Sequence, residues 1–390
     1  MQPDVSPVEA VLETRDVDGY LLNADSDDPN QRYLSGFDAP DPFVTLFAGD
    51  IHLLVSSLEF GRAKSESHAA TVARFSDFNL REKRSEYGSA EAFSRTVASF
   101  LRSQDVESIV VPSRFPISLA DGLRDLGIRV VVDADDDTAE MRAQKTDDEI
   151  EKIRRAQKAN EAAMAHAESI LSESSIDGET LVYKGSVLTS ERLRREIEFE
   201  LLENDHALDE TIVACGSDGA DPHDRGSGPL APDESIVIDI FPRGKDTDYF
   251  ADMTRTFVKG TPTPAIEEYY ELTERAKAAA IDAIEPGVTG ESVHNVVCDV
   301  YEDAGYPTLR SDPQTETGFI HSTGHGVGLD VHEGPALSPV GETLKPGHVI
   351  TIEPGLYDPS VGGVRIEDIG VVTEDGFENL TTYPQQLRLD

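Results

Sequence analysis

The chain is predicted to form two domains, an α/β unit over residues 1–140 and an α+β unit with a mostly antiparallel sheet over 141–390. Three observations carry that division. A strand–helix–strand run closes the first part, and a well-marked helix start opens the second. Only the second alternates long amphipathic stretches with short apolar runs that carry acids.

Within the first part, FVTLFAGDIHLLVSS reads as two apolar strands joined at Gly49-Asp50, a hairpin with weak turn chemistry in its favour. SIVV, a helical ISLADGLRDLG and IRVVV follow as a βαβ-like run, with Gly127 at the helix end. No glycine-rich phosphate loop follows any of these strands, so a dinucleotide site is not indicated. The charge-rich seam DADDDTAEMRAQ, 133–144, separates the two parts. Beyond it Thr146-Asp147-Asp148-Glu149 matches the capping-box pattern, and acids fill the first turn, where the helix dipole favours them. Ile150, Ile153, Met164 and Ile170 supply an apolar stripe. Further helices are expected at 190–204, at 264–285 with Pro264 in the first turn, and at 291–304 ending at Gly305. The strands are IVIDIF, YFADMTRTFV, HVITIEPGLY and GVRIEDIGVV.

Lys and Arg total 34 against 75 Asp and Glu, a net charge of −41. Such a surface repels nucleic acid and anionic membranes. The acids are spread along the whole chain, which indicates a strongly hydrated surface of the kind a salt-adapted cytosol favours rather than an acidic tail. Cys215 and Cys298 stand far apart, so no disulfide framework is expected, in keeping with a reducing compartment. The N-terminus lacks the basic and apolar regions of a signal peptide, and no apolar run approaches membrane-spanning length. A soluble, cytoplasmic protein is the expectation.

The chemistry concentrates in the second part. GFIHSTGHGVGLDVHEGP, 318–335, sets His321 and His325 four apart, the spacing of a zinc helix. Its glycines exclude that reading, because each costs a helix interior about 1 kcal/mol relative to alanine. These histidines therefore act from extended or looped backbone. Gly324, Gly326 and Gly328 are expected to let that backbone approach metals or substrate closely. Acids also stand where strands should be apolar: Asp239, Asp252, Glu353 and Glu367. Four carboxylates and one imidazole form an oxygen-rich set suited to two divalent ions. Two ions about 3.5–4 Å apart hold a bridging water as hydroxide at neutral pH and polarise a carbonyl for attack. Neither cysteine has the partner a zinc–thiolate site needs, so Mn²⁺ or Co²⁺ is favoured, with Fe²⁺ and Zn²⁺ as further candidates.

ADMTRTF, HSTGHGVGLDVHEG, TIEPG and RIEDIG occur in one order over 146–390. In these motifs the chain resembles the pita-bread metallopeptidases, the family of aminopeptidase P, prolidase and methionine aminopeptidase, to which the metal-free creatinase is related. QRYLSGF and the βαβ run resemble the small domain that precedes the catalytic one in aminopeptidase P, prolidase and creatinase. The resemblance implies Asp239, Asp252, His325, Glu353 and Glu367 as metal ligands, with Asp252 and Glu367 bridging both ions. His332 would contact substrate near the scissile bond, and His321 and His223 would line the substrate pocket. Arg365, two residues before Glu367 and hence on the same strand face, would orient a carboxylate or the substrate.

The implied activity is hydrolysis of an N-terminal Xaa-Pro bond by a metal-bridging hydroxide, in an aminopeptidase or a dipeptidase, with Glu353 or Glu367 handling the proton. A homodimer acting on peptides with proline at the second position is expected. The alternatives are a pita-bread aminopeptidase or C–N hydrolase of other specificity, or an idle peptide-binding scaffold. One departure stands out. Family members usually separate the first two aspartates by eleven positions, whereas Asp239 and Asp252 are thirteen apart. Two residues added at a hairpin tip keep both side chains on one face, because the strand period is two. Asp246 and Asp248 remain rivals for the Asp239 position. His52, His68, His166, His206, His294 and His348 are read as structural or solvent-facing.

Overall fold

The computed structural model describes residues 3–389, which divide after Arg142 into two units. In the first, six strands lie in the order Thr71–Arg74, Asp50–Val55, Phe43–Ala48, Gly19–Ala24, Ser108–Pro112, Arg129–Asp133. Phe43–Ala48 and Asp50–Val55 form the expected antiparallel hairpin. Gly49 turns it with φ at +77°, a left-handed conformation that glycine adopts without strain. The run from Ser108 to Asp133 adds two parallel strands joined through the Ile117–Asp125 helix. That helix and Ser89–Ser103 bury Leu123, Val97 and Leu101 against Leu21, Val44 and Ile109 of the sheet.

The second unit is α+β, as its alternating patterns require. Its first helix, Asp147–Glu173, is capped by its own sequence: the Thr146 N–H donates to Glu149 Oε2 at 2.8 Å, and the Thr146 hydroxyl accepts from the Glu149 N–H at 3.4 Å. This helix pairs with Ser190–Glu203. Ile170, Leu193 and Ile197 share a core with Val213, Ile238 and Phe257 of the sheet formed by Thr211–Cys215, Ile236–Ile240 and Met253–Lys259. A second helix pair, Pro264–Ala283 and Gly290–Asp303, packs Ala276, Val293 and Val297 against Ile350, Ile352 and Val364. Burying each of these valines and isoleucines contributes about 1.5–3 kcal/mol before conformational entropy is counted. The strands under this pair run in the order Glu333–Leu337, Gly324–Gly326, Val349–Ile352, Asp368–Thr373, Gly376–Asn379, beside the hairpin Gly355–Asp358/Gly362–Arg365. Every named pairing in the second unit is antiparallel except Met253–Lys259 with Arg388–Leu389.

Three strands differ from expectation. YFADMTRTFV contributes a strand only from Met253 onward. HVITIEPGLY breaks after Ile352, because Pro354 has no N–H to offer a ladder. GVRIEDIGVV breaks after Arg365. Arg365 and Glu367 therefore do not share one continuous strand face. Asp252, Glu353 and Glu367 all lie just outside regular strands.

Candidate metal centre

Asp239 projects from the Ile236–Ile240 strand opposite Thr254. Asp252 stands two residues before Thr254 and so faces the same way. The link between the aspartates is not a lengthened hairpin tip. Arg243–Gly244 pairs with His206–Ala207, and Arg243 also bridges Phe250. Asp246 in this link is exposed and bound to Arg155 at 2.9 Å, and Asp248 takes φ +62° beside Arg243. Neither rival lines the cavity that holds Asp239 and Asp252.

Ligand atoms of Asp252, His325 and Glu367 all lie within 4.8 Å of one another. His325 comes from the short Gly324–Gly326 strand, the extended backbone its glycines called for. A Cβ on Gly324 would lie 2.0 Å from the Thr351 carbonyl oxygen, and one on Gly326 2.2 Å from that of Gly334. Gly324 and Gly326 thus admit neighbouring backbone, whereas a Cβ on Gly328 would lie 2.1 Å from Glu333 Oε1; Gly324 also lines the cavity. His325 Nδ1 faces the Gly326 carbonyl at 3.1 Å, so Nδ1 carries the proton and the Nε2 lone pair is free. That lone pair lies 3.3 Å from Glu353 Oε1 and 3.7 Å from Asp252 Oδ2. Acceptors facing acceptors call for a cation between them. Asp239 Oδ1 and Asp252 Oδ1 are buried with no hydrogen-bond partner among the described residues. The donor set therefore fits hard divalent ions.

Electrostatics agree with that fit. Burial and the neighbouring Glu367 push the Asp252 carboxyl well above the ordinary range, and burial with Glu353 does the same for Glu367. Glu353 is pushed up to about 7, chiefly by burial, with Arg365 opposing the rise. Arg365 Nη2 donates to Asp239 Oδ2 at 2.7 Å, and Nε donates to the Thr254 hydroxyl at 3.1 Å.

These residues line a cavity of about 730 Å³, a size suited to a small ligand. His223 and His332 are exposed on its wall, and the His332 ring lies 4.3 Å from that of His325. His321 is more enclosed: Nδ1 faces the Ser322 carbonyl at 2.7 Å and Nε2 faces the Tyr357 hydroxyl at 2.9 Å. Burial and then Arg365 push its pKa down to about 3. Phe241, Ile320 and Val331 add apolar wall. Tyr357 and Thr254 had no signal in the sequence, since an aromatic or a threonine in an apolar strand reads as packing. Among the other histidines, His294 is buried and its Nδ1 holds the Thr323 hydroxyl at 3.0 Å, while His348 receives the Lys345 N–H at 3.2 Å.

Residues 151–374, more than half of the chain, match the model of metallopeptidase family M24. The chain belongs to that family. Residues 6–144 match the creatinase/prolidase N-terminal domain that accompanies it. Among the relatives of this M24 member, the Xaa-Pro dipeptidase of Pyrococcus horikoshii is 29% identical over 394 residues, covering 99% of each chain. That of Pyrococcus furiosus is 30% identical over 351 residues, or 88% of each. The solved prolidase from Pyrococcus horikoshii superposes with a TM-score of 0.79 at 27% identity, over 98% of this chain and 99% of that one. The X-Pro aminopeptidase from Thermotoga maritima reaches 0.77 at 26%, over 96% and 97%. The pita-bread fold and a metal-dependent peptidase chemistry come with this membership.

Proposed function

We propose that this chain hydrolyses the bond between an N-terminal residue and a proline at the second position. The observation that carries the reading is the cluster of Asp252, His325 and Glu367, which lines a ligand-sized cavity together with Asp239 and Glu353. When bound there, two divalent ions supply a water nucleophile at neutral pH and polarise the scissile carbonyl. Asp239, Asp252, His325, Glu353 and Glu367 would hold them, with Asp252 and Glu367 shared. Glu353, beside the His325 ring nitrogen at 3.3 Å and lining the cavity, would take and return the proton. His332, open to the cavity, would donate to the developing oxyanion. His321 has both ring nitrogens engaged and would shape the wall together with His223. Arg365 orients Asp239.

Proline supports a dedicated enzyme because its tertiary amide has no N–H for general peptidases to bind and its ring is rigid. The relatives' names support the same preference, on both the dipeptidase and the aminopeptidase side. One imidazole among oxygen donors favours Mn²⁺ or Co²⁺. We further infer a homodimer working in a salt-rich cytoplasm. The charge of −41 supports the salt-rich setting, and the dimer rests on the family resemblance alone.

The test is a side-by-side assay at high salt of the metal-stripped protein reloaded with Mn²⁺ or Co²⁺, on Ala-Pro, Xaa-Pro-Yaa tripeptides, Met-Ala-Ser and creatine. Cleavage confined to the proline substrates is expected. Turnover of Met-Ala-Ser or creatine alone would redirect the assignment.

A further inference from the structure

Arg255 heads the largest fully buried side chains among the described residues. All five of its N–H groups are used. Nε donates to Pro384 O at 3.0 Å, Nη1 to Thr254 O at 2.9 Å and Glu367 O at 2.6 Å, and Nη2 to Asp368 Oδ1 at 2.9 Å and Tyr383 O at 2.7 Å. Behind it, the buried Asp368 accepts at Oδ2 from the buried Lys277 Nζ at 2.5 Å and from Asn379, an exposed residue, at 2.8 Å. Next to it, the Thr254 hydroxyl donates to Glu367 Oε2 at 2.8 Å and accepts from Arg365 Nε, while the Thr254 carbonyl accepts from the Glu367 N–H at 3.0 Å.

Glu367 is thus held at its peptide N–H, its peptide carbonyl and its carboxylate by two consecutive residues. It needs such a grip. It sits in a strand break, outside the ladder that fixes its neighbours, and its carboxylate is crowded by Asp239, Asp252 and Glu353. A buried charge trio is a poor device for stability alone, because apolar side chains of equal volume serve as well. It does fix geometry.

We propose that Thr254 and Arg255 are positioning residues that aim Glu367 at the divalent ions, with Asp368 and Lys277 keeping Arg255 in place. This rests on the reading of Glu367 as a metal ligand. The test titrates Mn²⁺ calorimetrically into the metal-stripped full chain as wild type, Thr254→Val, Thr254→Ser and Arg255→Lys, with far-UV circular dichroism on each. The folded Thr254→Val and Arg255→Lys proteins are expected to bind Mn²⁺ about 10- to 100-fold more weakly, and Thr254→Ser, which keeps the hydroxyl, to bind like wild type. Unchanged Mn²⁺ affinity in folded Thr254→Val overturns the proposal, even if Arg255→Lys does not fold. A wild type that takes up no Mn²⁺ or Co²⁺ overturns the metal centre itself, and this proposal with it.

Discussion

The Tyr357 hydroxyl lies 2.9 Å from Nε2 of His321, and the direction of this hydrogen bond is set at the other ring nitrogen. The other nitrogen faces a carbonyl, which only accepts, so Nδ1 is protonated and Nε2 receives the tyrosine O–H. The tyrosine oxygen in turn accepts from Arg365 Nη1 at 3.2 Å, and Arg365 reaches Asp239. A continuous hydrogen-bonded chain therefore joins the cavity wall to the carboxylates. Tyr357→Phe cuts it in the middle without changing the ring. A loss of about one net hydrogen bond predicts a roughly tenfold fall in kcat/KM on Ala-Pro. An unchanged value would mean that the chain plays no part in turnover.

The carboxylate cluster makes a pH prediction whose sign is opposite to that of a salt-bridged acid. Glu353 is raised to about 7 in the folded chain, against about 4.3 when unfolded. Its contribution to metal-free stability is present in full below the unfolded value and is lost as pH rises through the folded one. Metal needs the deprotonated ligands, so uptake releases protons and stabilises most where the bare cluster is least stable. The rise in Tm on adding Mn²⁺ should grow between about pH 5 and 8. A metal effect that is flat, or larger in acid, would contradict the arrangement.

Asp239 and Asp246 can be told apart directly. Asp239→Asn removes a carboxylate that faces the cluster and is expected to weaken metal binding by at least about a hundredfold. Asp246→Asn removes half of an exposed ion pair with Arg155, which is worth little, and should leave binding within about twofold. Calorimetric titration of both variants checks the contrast, and the reverse result would exchange their roles.

Gly324 should tolerate no side chain. An alanine methyl there would lie 2.0 Å from the Thr351 carbonyl oxygen, which a paired strand cannot move. Gly324→Ala is expected to cost about 1–3 kcal/mol or more and to displace His325. Urea unfolding measures the first effect, and metal stoichiometry the second.

Lys145 and Glu333 form an ion pair with side chains only 1% and 4% exposed, and Glu333 immediately follows His332. Breaking it from one side, by Lys145→Met, leaves a buried charge and is expected to cost about 3–5 kcal/mol. The double variant Lys145→Met/Glu333→Leu should recover part of that loss. Equal losses in the single and double variants would show that packing, not the charge pair, matters at this place.

Local physics made much of this protein legible from its residues. The cap at Thr146 and Glu149, the Gly49 turn, the apolar stripes and the strand runs depend on neighbours a few positions away. So does the rejection of a helix around His321 and His325. Residue types and motif order carried the candidate ligands, four acids and one histidine among apolar runs, although of the acids only Asp239 lies within a regular strand. Pleat parity placed Asp239 and Asp252 on one face, although the link between them folds differently from a simple hairpin.

What only the tertiary structure decided lies across long separations. Arg365 meets Asp239 over 126 positions and Arg255 meets Glu367 over 112. Register and strand breaks set such contacts, and neither is written in the composition of a short stretch. Tyr357 and Thr254 looked like packing until the fold put a histidine against one and a glutamate against the other. A hydrogen bond needs its partner within about 3 Å, and for these side chains the partner is supplied by a segment 36 or 113 positions away.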